Sequence, residues 1–357
     1  MRPRRPGLLG GAVGVAALGV GLGLAAERYA IGRTRLRPDP EAEEPFFSLP
    51  ASRAAKVRAD DGVLLHVEEV GPRDAPLTLV FSHGYTQEMA VWHYQRKALA
   101  HEAGIRCVYW DQRSHGRSAR GAAEHSTIDQ LGRDLHAVLD AVVPRGPVVL
   151  VGHSMGGMTV LALADSAPEL FGPRVTGVAL ISTSTGKLAD ATFGLPAALL
   201  PVTRRALPWL TRGMRSRPQS FERGRRLGTD LAFVIARFEA FGDPDVSPAL
   251  VEFVERMTAN TRIDVIAEFY DTFTTHDKFA ALDVLRGVAT LVLVGDKDRL
   301  TPRDHSELIA ATLDDEDAEL VVVEDTGHMV QLERPALVTE HLQALLLRAT
   351  RLADRSA

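Results

Sequence analysis

One short segment constrains the fold of this chain more than any other. The apolar run Val148–Val151 leads directly into Gly-His-Ser-Met-Gly at 152–156. Its continuous, β-branched character predicts a buried strand. The small residues around Ser154 allow a sharp turn that exposes the hydroxyl at the tip of a sheet, with the Met155 N–H placed to bind an oxyanion. The alternative is a glycine-rich strand-to-helix turn with an incidental serine.

Strands and helices are predicted to alternate on both sides of this segment. Apolar runs predict strands at 77–82, 106–110, 175–181, 290–294 and 319–323, and helical spacing predicts helices at 128–142, 158–167, 304–313 and 335–347. Residues 63–70 predict an edge strand. The pattern predicts an α/β fold with a mostly parallel sheet flanked by helices.

The domain organisation follows from where this alternation stops. At 357 residues the chain can form one domain with an insertion, or two domains. Residues 186–276 are helix-like and punctuated by prolines, without clear strands. We predict a core formed by 53–185 and 277–350, with 186–276 as a helical cap. The arginine-rich part of this cap fits either a solvated face or a surface toward anionic lipid or substrate.

The amino terminus predicts a connection with the membrane. Arginines precede the uncharged, apolar residues 7–26, and twenty helical residues span about 30 Å, the thickness of a bilayer core. We predict that the segment 1–26 anchors the protein through 7–26. Secretion after signal cleavage and a flexible apolar tail are the alternatives. Residues 27–52 carry four prolines and several acidic residues, and predict a linker.

Composition excludes several classes of function. Lys and Arg total 41 against 46 Asp and Glu, a net charge of −5, which gives no reason to expect nucleic acid as a partner. The single cysteine, Cys107, lies in a predicted core strand, so an intrachain disulfide and a Cys-based metal site are excluded. The histidines are scattered and no glycine-rich phosphate loop is present, so we predict neither a metal nor a cofactor.

Two later loops carry groups that would activate Ser154. A carboxylate pair, Asp296 and Asp298, follows one predicted strand, and His328 follows the next. Because loops after parallel strands gather at one edge of a sheet, these groups are expected near the serine. Asp298 is the better acid, since Asp296 lies closer to the strand and suits capping the turn. His153 is expected to pack or hydrogen-bond locally.

Taken together, these motifs resemble the α/β-hydrolase superfamily, in particular its capped serine esterases and lipases. The resemblance covers about residues 55–350 and rests on His83-Gly84, the segment Asp-Gln-Arg-Ser-His-Gly-Arg-Ser at 111–118, the serine turn at 152–157, and the segments around Asp298 and 327–335. It implies that the N–H groups of Tyr85 and Met155 form the oxyanion hole. It also implies that Asp111, Arg113 and Gly116 shape a structural turn.

The resemblance narrows the expected chemistry. Relatives that open epoxides or remove halides place an aspartate where this chain has Ser154, so those reactions are not expected. We predict a serine hydrolase that cleaves a carboxylic ester, of a small molecule or a lipid, through an acyl-enzyme. The first alternative is an acyltransferase or perhydrolase that uses the same acyl-enzyme. The second is a non-catalytic binding protein that keeps the fold.

Overall fold

The protein contains the mostly parallel sheet that the sequence predicts, with one further strand. A computed structural model describes residues 39–100, 102, 104–186, 200–227, 236–313 and 318–356. The strands are β1 (Arg53–Arg58), β2 (Leu64–Val70), β3 (Leu77–Ser82), β4 (Ile105–Trp110), β5 (Val148–His153), β6 (Val175–Ile181), β7 (Ala289–Gly295) and β8 (Ala318–Val323). They lie in the order β1-β2-β4-β3-β5-β6-β7-β8. The strands from β4 across to β8 are parallel, whereas β1 and β2 join antiparallel.

Burial explains why the central strands are continuous apolar runs. Every residue of β3, β5, β6 and β7 is buried. The strand predicted at the edge, β2, is instead internal, because β1 pairs along its outer side. Most residues of β1 are exposed or only partly buried, so no apolar run revealed that strand in the sequence.

Helices cover both faces of the sheet. They are α1 (His93–Leu99), α2 (Ile128–Val142), α3 (Met155–Ser166), α4 (Leu200–Ser216), α5 (Pro218–Leu227), α6 (Pro248–Asn260), α7 (Ile263–Thr275), α8 (Arg303–Leu313), α9 (Val330–Glu333) and α10 (Pro335–Ser356). On one face α10 buries Leu342 and Leu345, and in the core of the other face α2 buries Leu135 and Val138. This layering confirms the predicted α/β fold class.

Helices α4 to α7 lie between β6 and β7, in the interval 186–276 where the sequence predicts an insertion. The ends of that interval are joined by a bridge between Gly186 and Asp277. Phe269 of α7 belongs to the same buried cluster as Met155 of α3. The insertion therefore contacts the helix that follows the serine turn. That it caps the strand ends stays a prediction.

The 39–52 segment, within the predicted linker, packs against both the core and the insertion. Phe46 stacks on Phe253 of α6, with ring centroids 4.4 Å apart. Glu44 Oε1 lies 2.8 Å from His93 Nε2 at the start of α1. The segment thereby connects α1 of the core with α6 of the insertion.

The predicted membrane localisation is contradicted. Within the described ranges, no helix is long and apolar enough to cross a membrane. The 22-residue α10 carries charged side chains along its length, such as Glu340 and Arg348. The stretch 7–26, on which the predicted anchor depended, lies outside the described residues. We therefore correct this prediction, and membrane anchoring has no part in the function proposed below.

A buried ion pair attaches the loop after β4 to α2. The fully buried Arg113 donates from Nε and Nη2 to the Asp134 carboxylate, at 2.6 and 2.7 Å. Removal of the Asp134 carboxylate leaves the buried Arg113 charge with Asp61 as its remaining partner. We therefore expect Asp134→Ala to lower the free energy of unfolding by about 3 kcal/mol. Urea denaturation measures the loss. Asp140→Ala, at an exposed position of the same helix, is the matched control and should cost about 0.5 kcal/mol or less; equal losses would contradict the prediction.

Candidate active site

Ser154 lies at the turn between β5 and α3. Its φ of 53° and ψ of −120° are values that L-residues rarely adopt. The Ser154 N–H donates to the Ile181 carbonyl at 2.9 Å, and the Ser154 carbonyl accepts from Thr183 Oγ1 at 2.7 Å. Ser154 is only partly buried, whereas its neighbours His153 and Met155 are fully buried. The strained turn is thus held by contacts around it, with the serine as its accessible residue.

Two glycines of the motif are required by close backbone contacts. A Cβ at Gly152 would collide with the carbonyl group of Gly156, and a Cβ at Gly156 would collide with the carbonyl oxygen of Ser82 in β3. The turn between β5 and α3 can be this tight only because Gly152 has no side chain, and the start of α3 can approach β3 only because Gly156 has none. This explains in physical terms why small residues flank Ser154.

Asp298 and His328 form a buried, hydrogen-bonded pair in the loops after β7 and β8. His328 Nδ1 lies 2.9 Å from Asp298 Oδ2 and 3.1 Å from Oδ1. Burial alone would raise the pKa of Asp298, but His328 and the hydrogen bonds from Thr301 hold that pKa below its usual value. The carboxylate is therefore ionised at neutral pH and can orient the imidazole. Asp296 lies apart from this pair, and its Oδ1 accepts from the Thr326 N–H at 3.2 Å.

His153 connects the turn at Ser154 with the loop after β8 that carries His328, here called the histidine loop. Its Nε2 lies 2.9 Å from the His328 carbonyl oxygen, and the two ring centroids are 4.8 Å apart. Burial lowers the pKa of His153 to about 3, so its ring is neutral. This partner lies 175 residues further along the chain. Among the described contacts, the side chains of Ser154 and His328 make no hydrogen bond; in enzymes without substrate such bonds are often long.

The backbone N–H groups of Tyr85 and Met155 donate to no acceptor within the part of the chain that the structure describes. Met155 is the first residue of α3, and a helix N-terminus carries partial positive charge. The Tyr85 hydroxyl donates to the Ile266 carbonyl of α7, and its ring packs edge-on against Phe273 at 5.0 Å. Burial raises the pKa of Tyr85 well above its usual value, so the phenol keeps its proton.

The segment 111–118 has contacts that suit a structural turn. The Asp111 carboxylate accepts the N–H groups of Met89 and Arg117, each at 2.8 Å. A Cβ at Gly116 would collide with that carboxylate. Neither here nor elsewhere in the described ranges do three or more His, Cys, Asp or Glu side chains gather so that they could hold a metal ion.

Sequence reasoning missed two side chains that hold the loops of the site. Thr301 Oγ1 donates to Asp298 Oδ2 at 2.9 Å. Glu333 accepts the Gly327 N–H at 2.7 Å and the Gly242 N–H at 3.0 Å, which attaches the histidine loop to the insertion. The Asp-x-x-Thr spacing was a visible signal for Thr301. No local pattern indicated the contact of Glu333 with the insertion.

The chain is similar to curated acyl-transferring and lipid-cleaving proteins. It is 28% identical over 307 residues to the dihydrolipoyllysine-residue acetyltransferase component of the acetoin cleaving system of Pseudomonas putida, a match that covers 83% of this chain and 70% of the relative. It is 34% identical over 145 residues to lipase LipV of Mycobacterium tuberculosis. That match covers 40% of this chain and 53% of the lipase, so the chain spans about half the length of that relative.

The fold is shared with solved structures. A thermophilic esterase from Thermogutta terrifontis superposes with a TM-score of 0.63 at 22% identity, over 84% of this chain and 99% of the esterase. A family model described as the alpha/beta hydrolase fold matches residues 78–335. Because that match spans well over half of the sequence, the chain belongs to the α/β-hydrolase family.

Proposed function

We propose that the protein is a serine hydrolase that cleaves a carboxylic ester by two-step acyl transfer. The observation that carries the proposal is the buried Asp298–His328 pair, whose loop contacts the strained Ser154 turn through His153. A serine hydroxyl is a weak nucleophile, so it needs a positioned base and a group that orients that base. These residues can fill the three roles in the chain order nucleophile, acid, base.

In the proposed reaction Ser154 Oγ attacks the ester carbonyl carbon while His328 Nε2 takes the hydroxyl proton. Asp298 stabilises the imidazolium that forms. The C–O bond to the alcohol then breaks, and the alcohol leaves with the proton from His328. Water attacks the acyl-enzyme with the help of the same base, which releases the acid and restores the serine. The Tyr85 and Met155 N–H groups bind the oxyanion, each contributing about 3 kcal/mol.

The insertion is proposed to cap this site. In its helix α7, the Ile266 carbonyl accepts a hydrogen bond from the Tyr85 hydroxyl. Phe269 of the same helix lies in a buried cluster with Met155 and Met158. Apolar side chains around the reacting groups favour a substrate with an apolar acyl chain. We therefore propose a medium-chain or lipid-like ester as the substrate, which fits the similarity to a lipase.

Acyl transfer to another acceptor is a second candidate. The similarity to a protein named an acetyltransferase component favours it. The acyl-enzyme would be the same, and an alcohol, an amine or a peroxide would replace water in the second step. A non-catalytic binding protein would not need the Asp298–His328 pair.

An ester panel tests the proposal. The full-length protein is given p-nitrophenyl esters of graded acyl length, and the best ester is then tested in water with competing alcohol, amine and hydrogen peroxide acceptors. We expect the free acid as the main product and the highest kcat/KM at medium acyl lengths. Turnover of none of the esters would contradict the proposal. If most of the acyl group is transferred to an added acceptor instead of water, the protein is an acyltransferase or perhydrolase and not a hydrolase.

A further inference from the structure

A tight turn after β3 carries the Tyr85 N–H that is proposed to bind the oxyanion. The turn spans residues 84–87, and in it the Gln87 N–H donates to the Gly84 carbonyl at 3.3 Å. Thr86, directly after Tyr85, has a φ of 59°, a value that a β-branched residue rarely adopts. The backbone next to the proposed oxyanion donor is therefore strained, and contacts around the turn are needed to hold it.

The buried side chain of Gln87 binds the first residue of this turn. Gln87 Oε1 accepts the Gly84 N–H at 3.1 Å, in addition to the backbone hydrogen bond between the same two residues. A Cβ at Gly84 would lie 2.9 Å from Gln87 Oε1, which is closer than such atoms approach in proteins. Gln87 thus holds both the N–H and the carbonyl of the residue that precedes Tyr85.

The Gly84 carbonyl belongs to the same peptide group as the Tyr85 N–H. This carbonyl also accepts from His83 Nδ1 at 2.8 Å. Burial lowers the pKa of His83 to about 4, so its ring is neutral, and its Nε2 accepts the Gln112 N–H at 2.9 Å, which leaves the proton on Nδ1. Because a trans peptide group is planar, contacts that fix the carbonyl also fix the Tyr85 N–H on the opposite side.

The same side chain contacts the turn at Ser154 and the histidine loop. Gln87 Nε2 donates to Met329 Sδ at 3.2 Å, and Met329 directly follows His328. Gln87 Oε1 lies 3.2 Å from Nδ1 of His153, which directly precedes Ser154. The neutral ring of His153 has a single proton, which Nε2 donates to the His328 carbonyl, so its contact with Gln87 is one of packing. Gln87 therefore touches a sequence neighbour of the oxyanion donor, of the nucleophile and of the base.

We propose that Gln87 is a positioning residue that keeps the Tyr85 N–H aimed at the oxyanion formed when Ser154 attacks the ester. The inference rests on the proposed function, because it requires Tyr85 as an oxyanion donor. Gln87 acts through the backbone of residues 84–85 and makes no contact with the substrate. Since the negative charge develops only in the transition state, loss of this support should slow the reaction without weakening substrate binding.

Kinetics of Gln87→Met on the best ester of the panel tests the proposal in the full-length protein. Methionine has a similar volume but cannot accept the Gly84 N–H. We expect kcat to fall by about tenfold to a hundredfold, with KM within about threefold of the wild-type value. A trifluoromethyl ketone analogue of the ester forms an adduct that carries an oxyanion, so its affinity should fall by about the same factor as kcat/KM. A merely structural role would not weaken this inhibitor selectively.

Gln130→Met is the matched control. Gln130 is also a buried glutamine, and its side chain bonds to Asp60 and Asp134, outside the candidate site. Its substitution should leave kcat and the affinity for the ketone unchanged. Two further variants of Gln87 test the acceptor itself. Gln87→Glu keeps an oxygen at the same reach and should retain kcat within about fivefold, whereas Gln87→Asn is one methylene shorter and should behave like Gln87→Met.

Three results would overturn the proposal: a loss of kcat below about tenfold in Gln87→Met, a loss of kcat/KM that comes mainly from a higher KM, or equal kcat in Gln87→Glu and Gln87→Asn. Thermal melts establish that each variant is folded. If Gln87→Met does not fold, the comparison of Gln87→Glu with Gln87→Asn decides. A wild-type protein that hydrolyses no ester contradicts the proposed function and this role together, whereas normal turnover by Gln87→Met contradicts the role of Gln87 alone.

Discussion

Ser154→Ala is expected to lower kcat for ester hydrolysis by about 10⁶-fold. The substitution removes the attacking oxygen, so no acyl-enzyme can form, and only substrate binding and the oxyanion donors still act. The turn itself should survive, because it is held by the Ile181 carbonyl and the Thr183 hydroxyl acting on the Ser154 backbone. Steady-state kinetics on the best ester of the panel measures the effect.

Ser166→Ala is the matched control for this variant. Ser166 is exposed at the end of the same helix, and its hydroxyl bonds to the Ala162 carbonyl within that helix. Its removal should leave kcat and KM close to the wild-type values. A Ser154→Ala variant that keeps more than about one hundredth of the wild-type kcat would rule out a nucleophilic role for Ser154.

Asp298→Asn should lower kcat by about 10⁴-fold. The carboxylate accepts from His328 Nδ1, which leaves Nε2 free to act as the base. An amide at this position can donate instead, which favours the opposite tautomer and removes the charge that stabilises the imidazolium. Because Leu300 and Thr301 also donate to the carboxylate, the loop should lose some stability. Kinetics together with urea denaturation separates the two effects.

Asp296→Asn tests the choice between the two carboxylates. Asp296 is exposed and bonds to the Thr326 N–H, so this variant should stay within a few-fold of wild-type kcat. A greater loss of activity in Asp296→Asn than in Asp298→Asn would reverse the assignment of the acid.

The central sheet could be predicted because burial on both faces leaves an unmistakable pattern. The strands at 77–82 and 175–181 and the helix at 128–142 have the predicted bounds. Strand β1 and the contacts of the 39–52 segment could not be predicted in the same way. Phe46 stacks on Phe253, which lies about two hundred residues further along the chain. The sequence around Phe46 is rich in proline and acidic residues.

Much of the candidate site could also be inferred from the chain, because parallel strands deliver their following loops to one edge. Asp298 and His328 meet there in direct contact. What the pattern could not reveal was the support around them. Two of these supporting hydrogen bonds join residues that are far apart in the sequence. One runs from His153 to the His328 carbonyl, and the other from the Gly242 N–H to Glu333.

Labelling with a fluorophosphonate probe, followed by mass mapping of the modified peptide, tests the central claim most directly. The probe reacts with a serine that a neighbouring base activates. We predict one adduct per chain, on Ser154, that is absent from Ser154→Ala and strongly slowed in His328→Ala. An unlabelled wild-type protein, or an adduct on a different residue, would contradict the account.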